Sequence, residues 1–296
     1  TNSTYATTGN TVTVGFTTDE NLGNTEFPIT GSICGVDITA SQGADAQTWT
    51  VSNIVSTHAD GTATFDIVVY DAVGNQAASN LTTPSDGSTV TIDKTDPVVT
   101  ASISSNNATT SLAKKDDVVT LNVSADEVLN TNPTVTIDGN AETTNPQTPS
   151  NAYSAERTME TADTQGQIAF AISNIIDRAG NTASTVSATN DGTSVTFDSN
   201  APTLTGLTMA SDNNFDNDNL TSLAKSGDLV TLTFYTNETA QTPTALIAGE
   251  TATVTGSASS WVATKTMDDT DSDGRIALVI DFKDLAGNSG TQATSV

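Results

Sequence analysis

What most constrains this 296-residue chain is that it repeats itself three times. A pentapeptide recurs as DAVGN at 71–75, DRAGN at 177–181 and DLAGN at 284–288, spaced by 106 and 107 residues. Upstream of each lies a second marker: NTVTVGFTTDE ending at Glu20, DVVTLNVSADE ending at Glu127 and DLVTLTFYTNE ending at Glu238. A third, VTIDKTDP around Asp93 and VTFDSNAP around Asp198, recurs after 105 residues. One period shared by three markers is the signature of tandem domains of ordinary size. It divides the chain into domains over 1–95, 96–200 and 201–296.

Within each repeat the apolar residues alternate with polar ones. Val12, Val14, Phe16 correspond to Val119, Leu121, Val123 and to Leu229 or Val230, Leu232, Phe234. Before each DxxGN the pattern returns as Phe65, Ile67, Val69, as Ile168, Phe170, Ile172 and as Ile276, Leu278, Ile280. Period two marks half-buried strands, and turn residues separate the runs about every ten positions. No amphipathic helix of useful length is visible. The expected fold is all-β: three tandem Ig-like β-sandwiches arranged as an elongated rod, with Trp49, Tyr153 and Trp261 each buried between two sheets.

Composition narrows function more than fold. Leu, Ile, Val and Phe supply only one residue in five, near the border of disorder, so the alternation itself carries the case for a folded chain. Thirty-five acidic against nine basic side chains give a net charge of −26, which disfavours nucleic acid and anionic membranes as partners. One histidine, His58, and one cysteine, Cys34, leave no multi-histidine metal site, thiolate cluster or intrachain disulfide, and remove most catalytic triads. No enzyme activity is expected. No apolar run approaches the length of a membrane span, so direct membrane insertion is not expected either.

The segments SLAKKDDVVTLNVSADE (111–127) and SLAKSGDLVTLTFYTNE (222–238), with the DxAGN strand ends, resemble the tandem bacterial Ig-like repeats of large extracellular surface proteins. The resemblance covers nearly the whole chain. It implies an adhesin stalk, surface layer (S-layer) or filament, often stiffened by calcium, and an extracellular, cell-surface location. The first repeat departs from the pattern, with TYATTGNTVTV in place of SLAKSGDLVTL. Aligned on the other two, the first domain lacks its first strand and the last strand of the third is cut short, which predicts unpaired edges filled by neighbouring chain or by a donated strand.

In an Ig-type sandwich the B–C and F–G loops share a pole with the start of the first strand. That topology gathers Glu127, Asp177, Asp93 and Asp96 at the first junction, and Glu238, Asp284, Asp198 and Asn200 at the second. Several oxygen ligands with no nitrogen or sulfur suit Ca²⁺. The competing reading is a plain turn, in which Asp accepts backbone amides and Gly supplies a positive φ. The first domain has Glu20 and Asp71 but no preceding linker, so its site would be incomplete. A further candidate is DDTDSDG, where Asp269, Asp271 and Asp273 take the first three positions of an EF-hand-like loop. Its bidentate Glu is missing, and an acidic hairpin turn competes. The acidic stretch 211–219 reads as a solvated loop.

Two functions of different class remain. One is a structural module of a wall, filament or adhesin stalk, with neighbouring repeats or copies of the same protein as partners. The other is a ligand- or carbohydrate-binding region of an adhesin or secreted enzyme, with cell-surface glycans as partners. The loops differ little between repeats, which favours the structural module.

Overall fold

In the computed structural model, which describes residues 4–22, 27–215 and 218–295, the regular elements are β-strands, and no helix occurs among the described residues. The alternating segments are the strands, as a period of two requires. In the third repeat one sheet runs in the order Leu204–Ser211, Leu229–Thr236, Ser260–Thr266, Thr253–Ser257. The other runs Glu250–Thr251, Thr244–Ile247, Leu278–Asp281. Val230, Leu232 and Phe234 from the first sheet meet Ala245, Ile247, Leu278 and Ile280 from the second in one core, with Trp261 packed among them. Leu229 points outward at 37% exposure, which settles the strand's phase in favour of Val230.

The second repeat has the same sheet orders. Val99–Ser105, Val118–Ala125, Ala152–Thr158 and Asn145–Pro146 form one sheet, and Asn140–Glu142, Thr134–Ile137 and Phe170–Ser173 the other. This is the ABED and C′CF arrangement of an Ig-like β-sandwich. The first repeat has Thr11–Thr17, Thr48–Ile54, Thr39–Gln42 in one sheet and Val36–Asp37, Thr30–Ile33, Phe65–Val68 in the other. Its first sheet has three strands among the described residues where the others have four.

The burial of the central aromatics also differs. Tyr153 and Trp261 are buried, but Trp49 is only half-buried, contrary to the expectation that all three aromatics are enclosed. The third repeat packs Leu204, Leu207 and Met209 of its outer strand against the core, and the first repeat has no counterpart among the described residues.

Each sheet draws its strands from one repeat. By spatial proximity the chain forms two compact units. One contains Thr1–Ala101, Asn122–Ala155 and Phe170–Ala188; the other contains Ser102–Leu121, Glu156–Ala169 and Thr189–Val296. The middle repeat contributes residues to both.

A short closing strand delivers each linker. Thr91–Ile92 pairs parallel with Tyr5–Ala6 and antiparallel with Gly61–Thr62. Thr196–Phe197 pairs in the same manner with Leu112–Ala113 and Gly166–Gln167. Ile92 and Phe197 are buried anchors, each worth about 2 to 3 kcal/mol of apolar burial, and they fix where the next residues, Asp93 and Asp198, emerge.

Candidate metal centre

Each junction site is assembled from three backbone devices. The closing strand places the linker aspartate: the amide of Asp93 donates to the Ala6 carbonyl at 2.9 Å, and that of Asp198 to the Ala113 carbonyl at 2.8 Å. Beyond a buried proline, the linker is tied to the residue preceding the glutamate. Val98 N donates to Asp126 Oδ1 at 2.9 Å while Asp126 N donates back to the Val98 carbonyl at 3.0 Å. Thr203 and Asn237 repeat this exchange at 2.7 and 3.0 Å. Glu127 and Glu238 are thereby held beside the linker, two residues past the ends of Val118–Ala125 and Leu229–Thr236.

The third device is the DxAGN turn. Asp177 Oδ1 accepts from Gly180 N at 2.6 Å and Asn181 N at 2.8 Å, while Oδ2 accepts from Asn181 Nδ2 at 2.6 Å. Asp284 accepts from Gly287 N, Asn288 N and Asn288 Nδ2 at 2.6, 2.9 and 2.7 Å. The turn closes through φ of +102° at Gly180 and +92° at Gly287, a region glycine enters without steric cost. Asp177 is fully buried and Asp284 is 1% exposed.

These devices bring Asp93, Glu127 and Asp177 together, and likewise Asp198, Glu238 and Asp284, with one carboxylate oxygen from each residue within 4.8 Å of the other two. Among the described residues no lysine or arginine forms an ion pair with any of the six. Two ionised carboxylates at that separation repel by about 3 to 4 kcal/mol at an effective dielectric of 20. Burial, then the charges of Asp93, Asp177 and Asp126, push the Glu127 carboxyl up to about 7. Burial and Asp198 and Asp284 raise Glu238, and burial is also the main cause of the rise at Asp93.

Two oxygens sharing one ion at 2.3–2.6 Å stand at most about 5 Å apart, so the spacing fits a single hard cation. The donor set is all carboxylate, compatible with metal binding and lacking the nitrogen or sulfur that zinc sites favour.

The remaining sequence candidates lie elsewhere. Asp96 is exposed and belongs to neither cluster; Asn200 is exposed, and its backbone amide donates to Asp198 Oδ1 at 2.9 Å. Asp269, Asp271 and Asp273 are not gathered into a cluster. Asp271 instead meets Lys265, whose Nζ lies 2.5 and 2.6 Å from its two oxygens. That bond holds Asp271 below the usual carboxylate range and raises Lys265. Arg157 and Asp163 make the equivalent pair in the second repeat. In the stretch 211–219, Asp216 and Asn217 lie outside the described residues, and Asn213 is buried against Asp228 rather than solvated.

Sequence reasoning missed Asn181 and Asn288. Each sends its side-chain amide to the linker aspartate's carbonyl, Asn181 to Asp93 at 3.0 Å and Asn288 to Asp198 at 2.8 Å. Asn181 Oδ1 also accepts from the Thr7 hydroxyl. The signal was present: all three DxxGN turns end in Asn.

No protein-family model and no curated protein matches the chain. Among solved structures it is similar to a Ca²⁺-stabilized adhesin that helps an Antarctic bacterium reach out and bind ice, at 21% identity and a TM-score of 0.43, over 98% of this chain and 69% of that one. It is also similar to a marsupial T cell receptor, at 8% identity and a TM-score of 0.37, over 98% and 96% of the two chains. An ICAM-5 D1–D4 ectodomain fragment matches at 14% identity and a TM-score of 0.36, over 99% and 72%. No helix among the described residues is long and apolar enough to cross a membrane.

Proposed function

We propose that the chain is an extracellular structural module of a cell-surface wall, filament or adhesin stalk, built of three sandwiches over 1–95, 96–200 and 201–296, with calcium at the two junctions. The observation that carries this reading is repetition. Two clusters 105 to 111 residues apart combine a linker aspartate, a glutamate and a DxAGN aspartate in the same way, and neither has a cationic side chain as partner among the described residues. A plain turn needs its own aspartate and glycine; it does not need a glutamate and a linker aspartate brought to the same point.

When bound, calcium would neutralise the three carboxylates at each junction. Asp93, Glu127 and Asp177 would hold the first ion, and Asp198, Glu238 and Asp284 the second. Since Asp93 directly follows the closing strand of one repeat and the other two belong to the next, the ion would restrain the linker between them. A net charge of −26 also suits a medium rich in salt and divalent ions, where it is screened.

Lys94, in the first linker, offers a direct test. Trypsin should cleave after Lys94 more slowly in millimolar calcium than in chelator, and Glu127→Gln should remove the difference. Equal cleavage rates in calcium and chelator would refute calcium at this junction.

A further inference from the structure

The DLAGN turn of the third repeat is held from two sides. On one side Asp284 enters the carboxylate cluster and Asn288 reaches the linker. On the other, the backbone of the turn meets the preceding repeat: Asn107 Nδ2 donates to the Ala286 carbonyl at 2.9 Å, a bond between residues 179 apart in sequence. Ala286 is buried. Beside it, Lys114 Cε and Cδ lie 3.6 and 3.9 Å from where a Cβ on Gly287 would stand, so the lysine stem runs along the glycine face of the turn.

Asn107 is aimed at this turn by its own repeat. Its backbone amide donates to Ser105 Oγ at 3.1 Å, and its Oδ1 accepts from Thr109 N at 3.0 Å. Its Nδ2 also donates to Asp117 Oδ2 at 2.7 Å, and Asp117 is fixed in turn by Lys114, whose N and Nζ donate to it at 2.8 and 3.4 Å. A side-chain amide has two hydrogens, so one serves Asp117 and the other Ala286. The third repeat builds the same mount for Asn213, from Ser211 Oγ at 3.1 Å and Asp228 Oδ2 at 2.7 Å, with Lys225 on Asp228. The mount is thus a property of the repeat, made from residues within it.

We propose that Asn107 is an ion-independent clamp on the second junction, fastening the second repeat to the DLAGN turn of the third so that the two stay coupled when no cation is bound. The contact joins a neutral amide to a backbone carbonyl. Salt that screens charges therefore leaves it intact, and so does a chelator. The carbonyl is offered by the backbone, the donor is specific to Asn107, and the small residues Ala286 and Gly287 let the two approach. Calcium at Asp198, Glu238 and Asp284 would add to a junction that is already fastened. The clamp does not rest on the calcium reading.

The test is double electron–electron resonance on the full chain in chelator, with nitroxides on Thr158→Cys and Thr255→Cys, exposed positions of the second and third repeats, in a Cys34→Ser background. A narrow distance distribution is expected with Asn107 in place. Asn107→Ala should roughly double its width, because small inter-domain contacts leave relative motion as the default. Asn107→Asp keeps the acceptor for Thr109 but loses the donor, and should broaden it in the same way. Asn213→Ala removes the matching bonds inside the third repeat without touching the junction, and should leave the width unchanged. The clamp is overturned if the chain with Asn107 is already as broad as Asn107→Ala, if Asn107→Ala stays narrow, or if Asn213→Ala broadens it equally. Adding calcium to Asn107→Ala separates the two readings: renewed narrowing supports calcium at this junction, and persisting breadth counts against calcium there and not against the clamp.

Discussion

The DxxGN turn of the first repeat and those of the later repeats are nearly the same object in different surroundings. Asp71 accepts from Val73 N, Asn75 N and Asn75 Nδ2 at 2.9, 2.8 and 2.6 Å, much as Asp177 and Asp284 accept from their own turns. Those bonds, led by the Asn75 side chain, hold Asp71 below the usual carboxylate range. Yet Asp71 belongs to neither acidic cluster, and its turn is exposed, with Asn75 Nδ2 bonded to Asp71 Oδ2. The turn is thus a folding device that all three repeats use. What distinguishes the junctions is the arrival of a linker aspartate and a held glutamate beside it.

Removing the aspartate separates the two settings most sharply. Asp177→Ala removes a fully buried carboxylate and the part-buried bonds it accepts from the Gly180 and Asn181 amides, and should cost about 3 kcal/mol. Asp71→Ala exposes its amides to water and should cost clearly less, as chemical denaturation of the two variants will show. Equal losses would mean that burial does not distinguish the sites.

The pH response should differ in sign. Glu127 ordinarily titrates near 4.5 and is pushed up to about 7 in the folded chain. Between those values the folded chain binds more protons at this site than the unfolded one, so calcium-free stability falls as pH rises from about 4.5 to about 7 and then levels. Asp71 is shifted down from 3.8, so its contribution is present above that pH and is lost as pH falls through the lower folded value. Melting curves from pH 3 to 8 in chelator should show both slopes, and Glu127→Gln should reduce only the upper one, to which the raised Glu238 and Asp93 also contribute. An upper slope that Glu127→Gln leaves unchanged would place the proton elsewhere.

Asn181→Ala should have a smaller effect than the aspartate variant at the junction, about 1 kcal/mol for its bond to the Asp93 carbonyl. Asn75→Ala, at an exposed turn, should cost less. A trypsin assay at Lys94 should report the loss of linker restraint in Asn181→Ala even where melting barely moves.

Much of this was legible because the repeats align with one another. The alternation gave the strands, and the shared register of Glu127 with Glu238, Asp177 with Asp284 and Asp93 with Asp198 gave the six clustered carboxylates. The same alignment sets Asp96 against Ala201 and Asn200 against Thr95, so neither is a repeated ligand, and Asp96 belongs to neither cluster. Local spacing misled at Asp269, Asp271 and Asp273. A ligand-like alternation says nothing about a cation reaching in from the neighbouring strand, and Lys265 takes Asp271.

Calcium at the junctions is tested most directly by isothermal titration of the calcium-free chain. The account predicts two ions per chain, one for each cluster, falling to one in Glu127→Gln and to one in Glu238→Gln. At a free concentration a hundredfold above the dissociation constant, each occupied site should add about 2.7 kcal/mol to the stability of the part it holds. Absence of binding, or a stoichiometry that neither variant changes, would contradict it.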